Sequence, residues 1–204
     1  MTMPLPATPG VVLIAATALE CKALRKAMPR AHVVQTGIAL AGLKEPLGDT
    51  VVSCGLAGGL RRGLPTGTVV IPREVRRPDG SVLHCDEELT GALIRAALGL
   101  RIEPVVDPLL TSEAIVNGPA RGRWAALGYA GVDMETGRLR AERVAAVRVI
   151  LDTPENELSS DWADPVRAML RPRNWPQARW LGKTAPRAAA LCARIVAATQ
   201  GIGA

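Results

Sequence analysis

The chain contains 204 residues, of which 48% are hydrophobic and 22% charged, and its formal net charge is +6. This length accommodates one domain with a full apolar core and is short for two, so we expect a single domain over residues 1–204, with residues 1–10 as a flexible N-terminus. No apolar stretch reaches the roughly 18 residues that span a membrane, and the scattered Lys and Arg residues argue against nucleic acid as a partner.

The apolar residues alternate between strand and helix patterns. Val11–Ala16 is a continuous apolar run, typical of a buried parallel strand, and Leu19–Met28 is a helix that Pro29 ends. The remaining predictions, in chain order, are strands at His32–Thr36, Thr50–Cys54 and Thr68–Pro72, a turn at Pro78–Gly80, a helix at Glu87–Leu98, a strand at Pro104–Leu110, a helix at Pro119–Leu127, a strand at Gly131–Glu135, a short helix at Thr136–Arg143, a strand at Ala145–Leu151, and helices at Trp162–Leu170 and Pro186–Thr199, with Arg171–Gly182 as an irregular crossing. This alternation predicts an α/β fold in which helices flank a central, mostly parallel twisted sheet.

The sequence contains four cysteines that lie far apart and form no Cys-x-x-Cys pair: Cys21, Cys54, Cys85 and Cys192. In a chain of this size they indicate buried, reduced thiols in a cytoplasmic protein. The first ten residues contain three prolines and no basic residue, unlike a signal peptide. His84-Cys85-Asp86 could form one corner of a metal site, but no second His or Cys pair accompanies it, so we expect no metal.

Three carboxylates lie at or just after the predicted carboxyl ends of strands. Glu20 begins the helix after the first strand, Glu135 ends the strand at Gly131, and Asp152 follows the strand at Ala145. Ligands of open α/β sheets bind beyond these strand ends, so the three side chains are predicted to converge. Each has a structural alternative: Glu20 as a solvated residue that complements the helix dipole, Glu135 as a helix cap, and Asp152 as a turn former.

Two distant segments carry a family resemblance. Ser53-Cys-Gly-Leu-Ala-Gly-Gly-Leu60 ends in glycines that let a backbone approach a ligand, and Gly131-Val-Asp-Met-Glu-Thr136 places a thioether beside a carboxylate. Together they resemble the nucleoside phosphorylase and nucleosidase family, which cleaves the N-glycosidic bond of nucleosides. Within that family, the residues of these two segments are most similar to those of the hopanoid-associated phosphorylase branch.

The resemblance implies a substrate and a set of binding residues. The substrate would be a purine nucleoside, with adenine as the base, and the protein would be a homodimer or a higher homo-oligomer without a cofactor. The glycine loop would contact the sugar, the segment Ser112–Gly118 would hold the purine, and the Met-Glu pair would bind the ribose. The implied substrate-binding residues are Ala57, Gly58, Ile115, Val116, Met134 and Glu135.

The resemblance also implies two catalytic residues. Glu20 matches the glutamate that activates the attacking water in methylthioadenosine/adenosylhomocysteine nucleosidases, and Asp152 matches the aspartate that protonates N7 of the base. A proton donor must be held neutral at pH 7, which an apolar site around Asp152 would achieve. Ile115, Val116 and Leu151 are the candidates for that site.

The chain departs from the family at several points. It is short between residues 36 and 50, and the helix after Glu135 is curtailed. Val51-Val-Ser53 lacks the arginine that grips phosphate in the phosphorylases, and Leu56 stands where they have a phosphate-contacting serine. Inorganic phosphate stays open as a co-substrate, but hydrolysis is favoured. Two other hypotheses remain: a catalytically degenerate member that binds a nucleoside or only oligomerises, and an α/β binding domain for anionic ligands or nucleic acid.

Overall fold

A single sheet organises the computed structural model, which describes residues 10–43, 46–163 and 165–199. The segment predicted to be a flexible N-terminus therefore lies, except for Gly10, outside the described residues. Nine strands form within the described residues: β1 (Val11–Ala15), β2 (His32–Gln35), β3 (Thr50–Gly59), β4 (Val69–Val70), β5 (Glu74–Arg76), β6 (Val82–His84), β7 (Leu109–Thr111), β8 (Gly131–Asp133) and β9 (Arg143–Asp152).

The helices of the described residues are α1 (Ala18–Ala27), α2 (Glu87–Gly99), α3 (Pro119–Ala126), α4 (Pro165–Met169) and α5 (Trp175–Ala197). Short 3₁₀ turns lie at Ile38–Leu40, Thr136–Arg138, Ser160–Ala163 and Pro172–Asn174. Local chemistry explains where the longer helices begin. Thr17 and Glu20 form a reciprocal capping box at the start of α1, Asp86 caps α2 through the Leu89 amide, and α3 opens with Pro119, whose missing N–H would be unpaired in any case.

The sheet has the order β2-β1-β3-β8-β7-β5-β6, with β9 paired to β3 and β4 paired to β9. Among the described strands, five pairings are parallel and three antiparallel, so the predicted mostly parallel α/β fold is confirmed. The two ten-residue strands β3 and β9 run parallel from the Thr50–Arg143 pair to the Gly58–Asp152 pair. Because β1 also runs parallel to β3, the ends of all three strands deliver side chains to one edge of the sheet.

Several boundaries differ from the sequence predictions. Gly55–Gly59, expected as a loop, continues β3, because these residues pair with β9 and, at Gly58 and Gly59, with β8. The strand predicted at Pro104–Leu110 is β7, which begins only at Leu109, and the helix predicted at Thr136–Arg143 is a single 3₁₀ turn. The hairpin of β5 and β6 around the predicted turn at Pro78–Gly80 was not expected, since each strand is only three residues long.

The prediction for the C-terminal part was wrong in one important respect. Arg171–Gly182 is not an irregular crossing, because α5 begins at Trp175 and continues through Pro186. Pro186 is exposed on the side of α5 away from the core, where the missing hydrogen bond falls on the solvent side. The helix predicted at Trp162–Leu170 is divided into the 3₁₀ turn Ser160–Ala163 and the short α4.

Candidate functional site

A cavity of about 560 Å³ opens beyond the carboxyl ends of β1, β3 and β9. Its wall contains all eight residues that the sequence resemblance selects as catalytic or substrate-binding: Glu20, Ala57, Gly58, Ile115, Val116, Met134, Glu135 and Asp152. These residues come from separate segments of the chain that are distant in sequence. The structure therefore brings the whole predicted set to one place, although it does not show what each residue does there.

Glu20 lies at the point where α1 and β3 meet, and it is only 5% exposed. Its Oε2 accepts hydrogen bonds from the Thr17 amide (2.8 Å) and hydroxyl (2.6 Å), and its Oε1 accepts one from the Leu56 amide (2.9 Å). The alternative of a solvated first-turn residue is therefore wrong. A carboxylate has about four lone-pair sites, so Glu20 retains capacity to accept a hydrogen bond from a molecule in the cavity.

Glu135 also lies in the cavity wall and is 6% exposed. It occupies the cap position of the turn Thr136–Arg138, yet its side chain makes no capping bond, so the helix-cap alternative is not supported. Instead Oε1 accepts from the Ala39 amide (3.1 Å) and Oε2 lies 3.6 Å from Arg148 Nη2. Burial raises the pKa of Glu135 to about 7, although Arg148 acts in the opposite direction.

Arg148 supports this end of the cavity from beneath. It is fully buried in β9, and its Nη2 contacts Asp133 Oδ2 at 2.6 Å, Ser53 Oγ at 2.7 Å and Thr136 Oγ1 at 2.8 Å. Burial alone would lower the pKa of Arg148, but Asp133 and Glu135 raise it, so the guanidinium stays charged. This cation offsets part of the negative charge that Asp133, Glu135 and Glu20 bring together.

Asp152 is the last residue of β9, buried at 6% exposure, and it is not a simple turn former. Its Oδ2 forms a buried ion pair with Arg121 Nη2 and accepts a long hydrogen bond from the Leu158 amide (3.4 Å). Its Oδ1 lies against Gly58, where a Cβ would come within 3.1 Å of it. Oδ2 of Asp152 is thus bound by the protein, and Oδ1 faces the backbone of Gly58, which has no side chain.

The purely apolar setting expected for Asp152 is therefore wrong. Ile115, Val116 and Leu151 do line the cavity with it, but Arg121 supplies a positive charge that the sequence reasoning missed. Arg121 is itself 2% exposed, donates to the Gly59 carbonyl (2.6 Å) and lies 3.3 Å from Glu157. Nothing in the sequence marks this arginine, because α3 is short and carries a second arginine, Arg123, that is exposed.

The glycines of β3 allow charged groups to approach the backbone. A Cβ at residue 55 would lie 2.5 Å from Glu20 Oε1 and 2.7 Å from Arg148 Nη1, closer than real Cβ contacts permit. Gly58 likewise leaves room for Asp152 and Val132. Without side chains at 55 and 58, Glu20 and Asp152 can approach the backbone of β3 at the cavity, and Arg148 can approach it from beneath.

The short segment after β2 closes one side of the cavity. Ile38 lines the wall, and Ala39 and Leu40 have φ angles of 54° and 62°, a left-handed conformation that non-glycine residues seldom adopt. This strained turn aims the Ala39 amide at Glu135. The reduced length between residues 36 and 50 is therefore compatible with a wall on this side of the cavity. Strain of this kind persists where the surrounding structure imposes it, often at functional sites.

The rest of the wall is apolar. Leu19, Leu56, Leu158, Trp162 and Leu181 contribute to it, from α1, β3, the segment after β9, and α5. Such a cavity, with a few charged groups in a mostly apolar wall, has the usual make-up of a small-molecule site.

The three residues considered as a metal corner are each engaged with other parts of the protein. His84 is exposed beside Glu74, Cys85 is buried in a small apolar cluster, and Asp86 caps α2 and pairs with Arg143. Within the part of the chain that the structure describes, no three His, Cys, Asp or Glu residues are grouped so that they could hold a metal ion.

No family model and no curated protein matches the sequence, but solved structures share its fold. The nucleosidase of Neisseria meningitidis that acts on 5′-methylthioadenosine and S-adenosylhomocysteine, solved with methylthio-immucillin-A, is 19% identical with a TM-score of 0.66, covering 94% of this chain and 98% of that one. The S-adenosylhomocysteine nucleosidase of Streptococcus pyogenes, solved with 5-methylthiotubericidin, is 14% identical with a TM-score of 0.69, covering 94% and 95%. Futalosine hydrolase of Helicobacter pylori is 11% identical with a TM-score of 0.67, covering 93% and 96%. The chain therefore has the α/β fold of the purine nucleosidases.

Proposed function

We propose that this protein cleaves the N-glycosidic bond of a purine nucleoside, with adenine as the leaving base and water as the nucleophile. The observation that carries the proposal is the convergence of Glu20, Glu135 and Asp152 in one cavity, from distant points of a chain with the nucleosidase fold. Each carboxylate has a separate task in this proposal. Glu20 polarises the water, Glu135 binds the ribose hydroxyls, and Asp152 gives a proton to N7 of the base.

The sugar end fits the requirements of the reaction. Breaking the bond makes the sugar resemble an oxocarbenium ion, which nearby carboxylates stabilise electrostatically. Glu135 would accept charge-assisted hydrogen bonds from the ribose, and Met134 and Ala57 would pack against the sugar. Ile115 and Val116 would contact the flat purine, which needs apolar walls but no aromatic partner.

The charge distribution supports water over phosphate. The Leu56 amide, a backbone donor beside the cavity, is already bound to Glu20 (2.9 Å). Arg148 is engaged by Asp133 and two hydroxyl groups rather than facing the cavity as a free cation. The Glu20 carboxylate would repel a phosphate dianion placed beside it. These observations support hydrolysis and leave phosphate without an evident partner at the sugar end.

The apolar wall supports a large apolar 5′ substituent. Leu19 and Leu181 border the cavity without a polar side-chain group, and the indole N–H of Trp162 is already donated to Gln177 at 2.8 Å. A methylthio group would fit such a wall, and so would a lipid of the kind that the resemblance to the hopanoid-associated branch implies. We further propose that the protein is a homo-oligomer, as the family resemblance implies, and that it is cytoplasmic, as the four unpaired cysteines indicate.

A second candidate function has one observation in its favour. Asp152 is the anionic half of an ion pair with Arg121, whereas a proton donor must carry a proton. A catalytically degenerate protein that binds a nucleoside could keep this ion pair permanently. In that case Asp152 would accept a hydrogen bond from the 6-amino group of adenine instead of protonating N7.

The two candidates are separated by a substrate panel read by base release. The panel contains adenosine, 5′-methylthioadenosine, S-adenosylhomocysteine and an adenosine with a long 5′-alkyl chain, each with its 2′-deoxy counterpart. We expect release without added phosphate, higher kcat/KM for the apolar 5′ groups, and a loss for every 2′-deoxy substrate. Binding of all substrates without release of adenine would establish the degenerate alternative, and release only with phosphate would make the protein a phosphorylase.

A further inference from the structure

The positive charge of the chain is concentrated near its C-terminus. Residues 165–204 contain seven Arg and Lys residues and no Asp or Glu, whereas residues 1–164 contain 18 basic and 19 acidic residues. The net charge of +6 therefore originates from α4, α5 and the turn between them. Lys and Arg themselves are scattered along the chain, and the bias in net charge arises because the C-terminal segment contains no acidic residue.

Four of these basic residues share one exposed face of α5. They recur at intervals of four or seven residues, which places them on the same side of a helix: Arg179, Lys183, Arg187 and Arg194. The opposite face buries Ala185, Ala188, Cys192 and Ile195 in the core. α5 is therefore amphipathic with a continuous positive face toward solvent, here called the basic face.

Large apolar side chains lie exposed next to the N-terminal end of the basic face. Val166 is 75% exposed, Met169 54%, Leu170 77% and Trp175 60%. The first three follow the i, i+3, i+4 spacing of one helical side, and Trp175 Nε1 donates to the Met169 carbonyl at 3.2 Å, which holds the indole beside them. These four residues form one surface, here called the 166–175 patch.

Positive charge also lies within this surface. Arg171 and Arg173 both pair with Asp161, Arg173 at 2.8 Å, so one carboxylate serves two guanidinium groups. The patch thus combines protruding apolar side chains with an excess of arginine. Exposed apolar groups of this size on a soluble chain indicate an interaction surface, and the surrounding charge indicates that its partner is anionic.

We propose that the 166–175 patch and the basic face dock together on the surface of an anionic lipid bilayer. Apolar side chains of an interfacial helix enter the boundary between headgroups and acyl chains, while Lys and Arg remain at the level of the phosphates. Trp175 suits this position, because an indole has an apolar body and a polar N–H. Among the described residues no helix is long and apolar enough to cross a membrane, so the contact is peripheral.

The charge argues against a second copy of the chain as the occupant. In a two-fold dimer the same surface meets itself, which would bring Arg171, Arg173 and the basic face toward their own copies. Duplex DNA would satisfy the charge but gives no role to Val166 and Leu170, since its backbone offers charge and hydrogen bonds. Docking on lipid gives a role to both the 166–175 patch and the basic face. Trp162, Leu181 and Ala185, which also belong to the C-terminal part of the chain, line the cavity.

The test is co-sedimentation with vesicles, and it is independent of any enzymatic activity. Vesicles of equal parts phosphatidylglycerol and phosphatidylcholine are compared with pure phosphatidylcholine, at about 0.05 M and about 0.5 M salt. We expect binding to the anionic vesicles that weakens with salt. Changing Arg179, Lys183 and Arg187 together to Gln should lower the partition coefficient roughly 100-fold, and Leu170→Ser with Trp175→Ser should lower it at least about tenfold.

A matched control removes the same charge elsewhere. Arg62, Arg123 and Arg140 are exposed arginines outside the C-terminal region and the cavity wall, and changing them together to Gln should alter the partition less than about threefold. Circular dichroism confirms that each variant folds. Equal losses in both triple variants would overturn the proposal. Failure to bind anionic vesicles at low salt would also overturn it. In that case, conversion of a dimer to a monomer by Leu170→Ser with Trp175→Ser would identify a second copy as the occupant, and loss of binding to duplex DNA would identify DNA.

Discussion

Arg121 and Asp152 form a buried ion pair in the wall of the cavity, with Arg121 2% exposed and Asp152 6% exposed. The pair joins α3 to the end of β9, and it leaves Asp152 Oδ1 as the oxygen that faces Gly58. If Asp152 is the proton donor, Arg121 is the side chain that fixes its carboxyl group in position.

The first prediction concerns this pair. Arg121→Met removes the group that holds Asp152 Oδ2 in place, so kcat/KM for base release should fall by about 100-fold, the effect of a misplacement near 1 Å. Arg121→Lys keeps a cation at the pair and should lower kcat/KM less. Glu157 lies 3.3 Å from Arg121 without contacting Asp152, and Glu157→Gln should therefore change kcat/KM less than either Arg121 variant. Equal activities of the wild type and Arg121→Met would show that Arg121 does not position Asp152.

The second prediction concerns stability. Burial raises the pKa of Glu135 to about 7, above its ordinary value of 4.5, so the folded state binds this proton more tightly than the unfolded state. The free energy of unfolding should therefore fall as pH rises from about 4.5 to about 7, and Glu135→Gln should remove this dependence. The difference between mutant and wild type should grow by about 1–3 kcal/mol between pH 5 and pH 8. The measurement is urea unfolding of both proteins at the two pH values. A difference in the free energy of unfolding that is the same at pH 5 and pH 8 would refute the prediction.

The third prediction tests the close approach at Gly55. A methyl group there must displace Glu20 or Arg148, because its Cβ would lie 2.5 Å and 2.7 Å from them. Gly55→Ala should therefore reduce kcat/KM by about 100-fold, the effect expected from a misplacement near 1 Å. Gly99→Ala at the end of α2 is the matched control, since no atom lies within 4 Å of its Cβ. Equal activities of the two variants would contradict the requirement for a glycine at position 55 beside Glu20 and Arg148.

The fourth prediction assigns the nucleophile. Glu20→Gln preserves the shape and much of the hydrogen bonding to Thr17 and Leu56, but the amide is a far weaker base. Hydrolysis should fall by about 10²–10⁴-fold while nucleoside still binds. Adenine release is measured with and without excess phosphate. Restoration of the mutant by phosphate would indicate a phosphorylase, because phosphate needs no base to attack, and an unchanged hydrolysis rate would return Glu20 to its role in the capping box.

The sequence was sufficient to predict the α/β fold and the three carboxylates that meet at the cavity. Buried parallel strands can be recognised as continuous apolar runs, as at Val11–Ala15. Because their carboxyl ends share one edge of the sheet, the sequence predicted that Glu20 and Asp152 converge. The partners of these carboxylates were harder to find. Arg148 interrupts an apolar strand, which is a detectable sign of a buried charge. Arg121 shares a short helix with the exposed Arg123 and becomes significant only through its ion pair with the end of β9.

Errors in the secondary structure have similar causes. Gly55–Gly59 has the composition of a loop, but long-range pairing with β9 makes it a strand. Trp175–Gly182 contains a proline and a glycine, yet the packing of α5 against α1 and β9 extends one helix through them. In both places tertiary contacts overcome the local secondary-structure propensity. Contacts between distant residues cannot be predicted from the local composition of a single sequence.

The most direct measurement is adenine release from 5′-methylthioadenosine in phosphate-free buffer by the wild type and Asp152→Asn. The amide has the shape of the acid but has no proton to transfer to N7. We predict turnover by the wild type and a rate about 10²–10⁴-fold lower for Asp152→Asn, with an unchanged circular dichroism spectrum. Activity of Asp152→Asn within a few fold of the wild type, or no release by the wild type from this or any other adenine nucleoside of the panel, would contradict the proposed function.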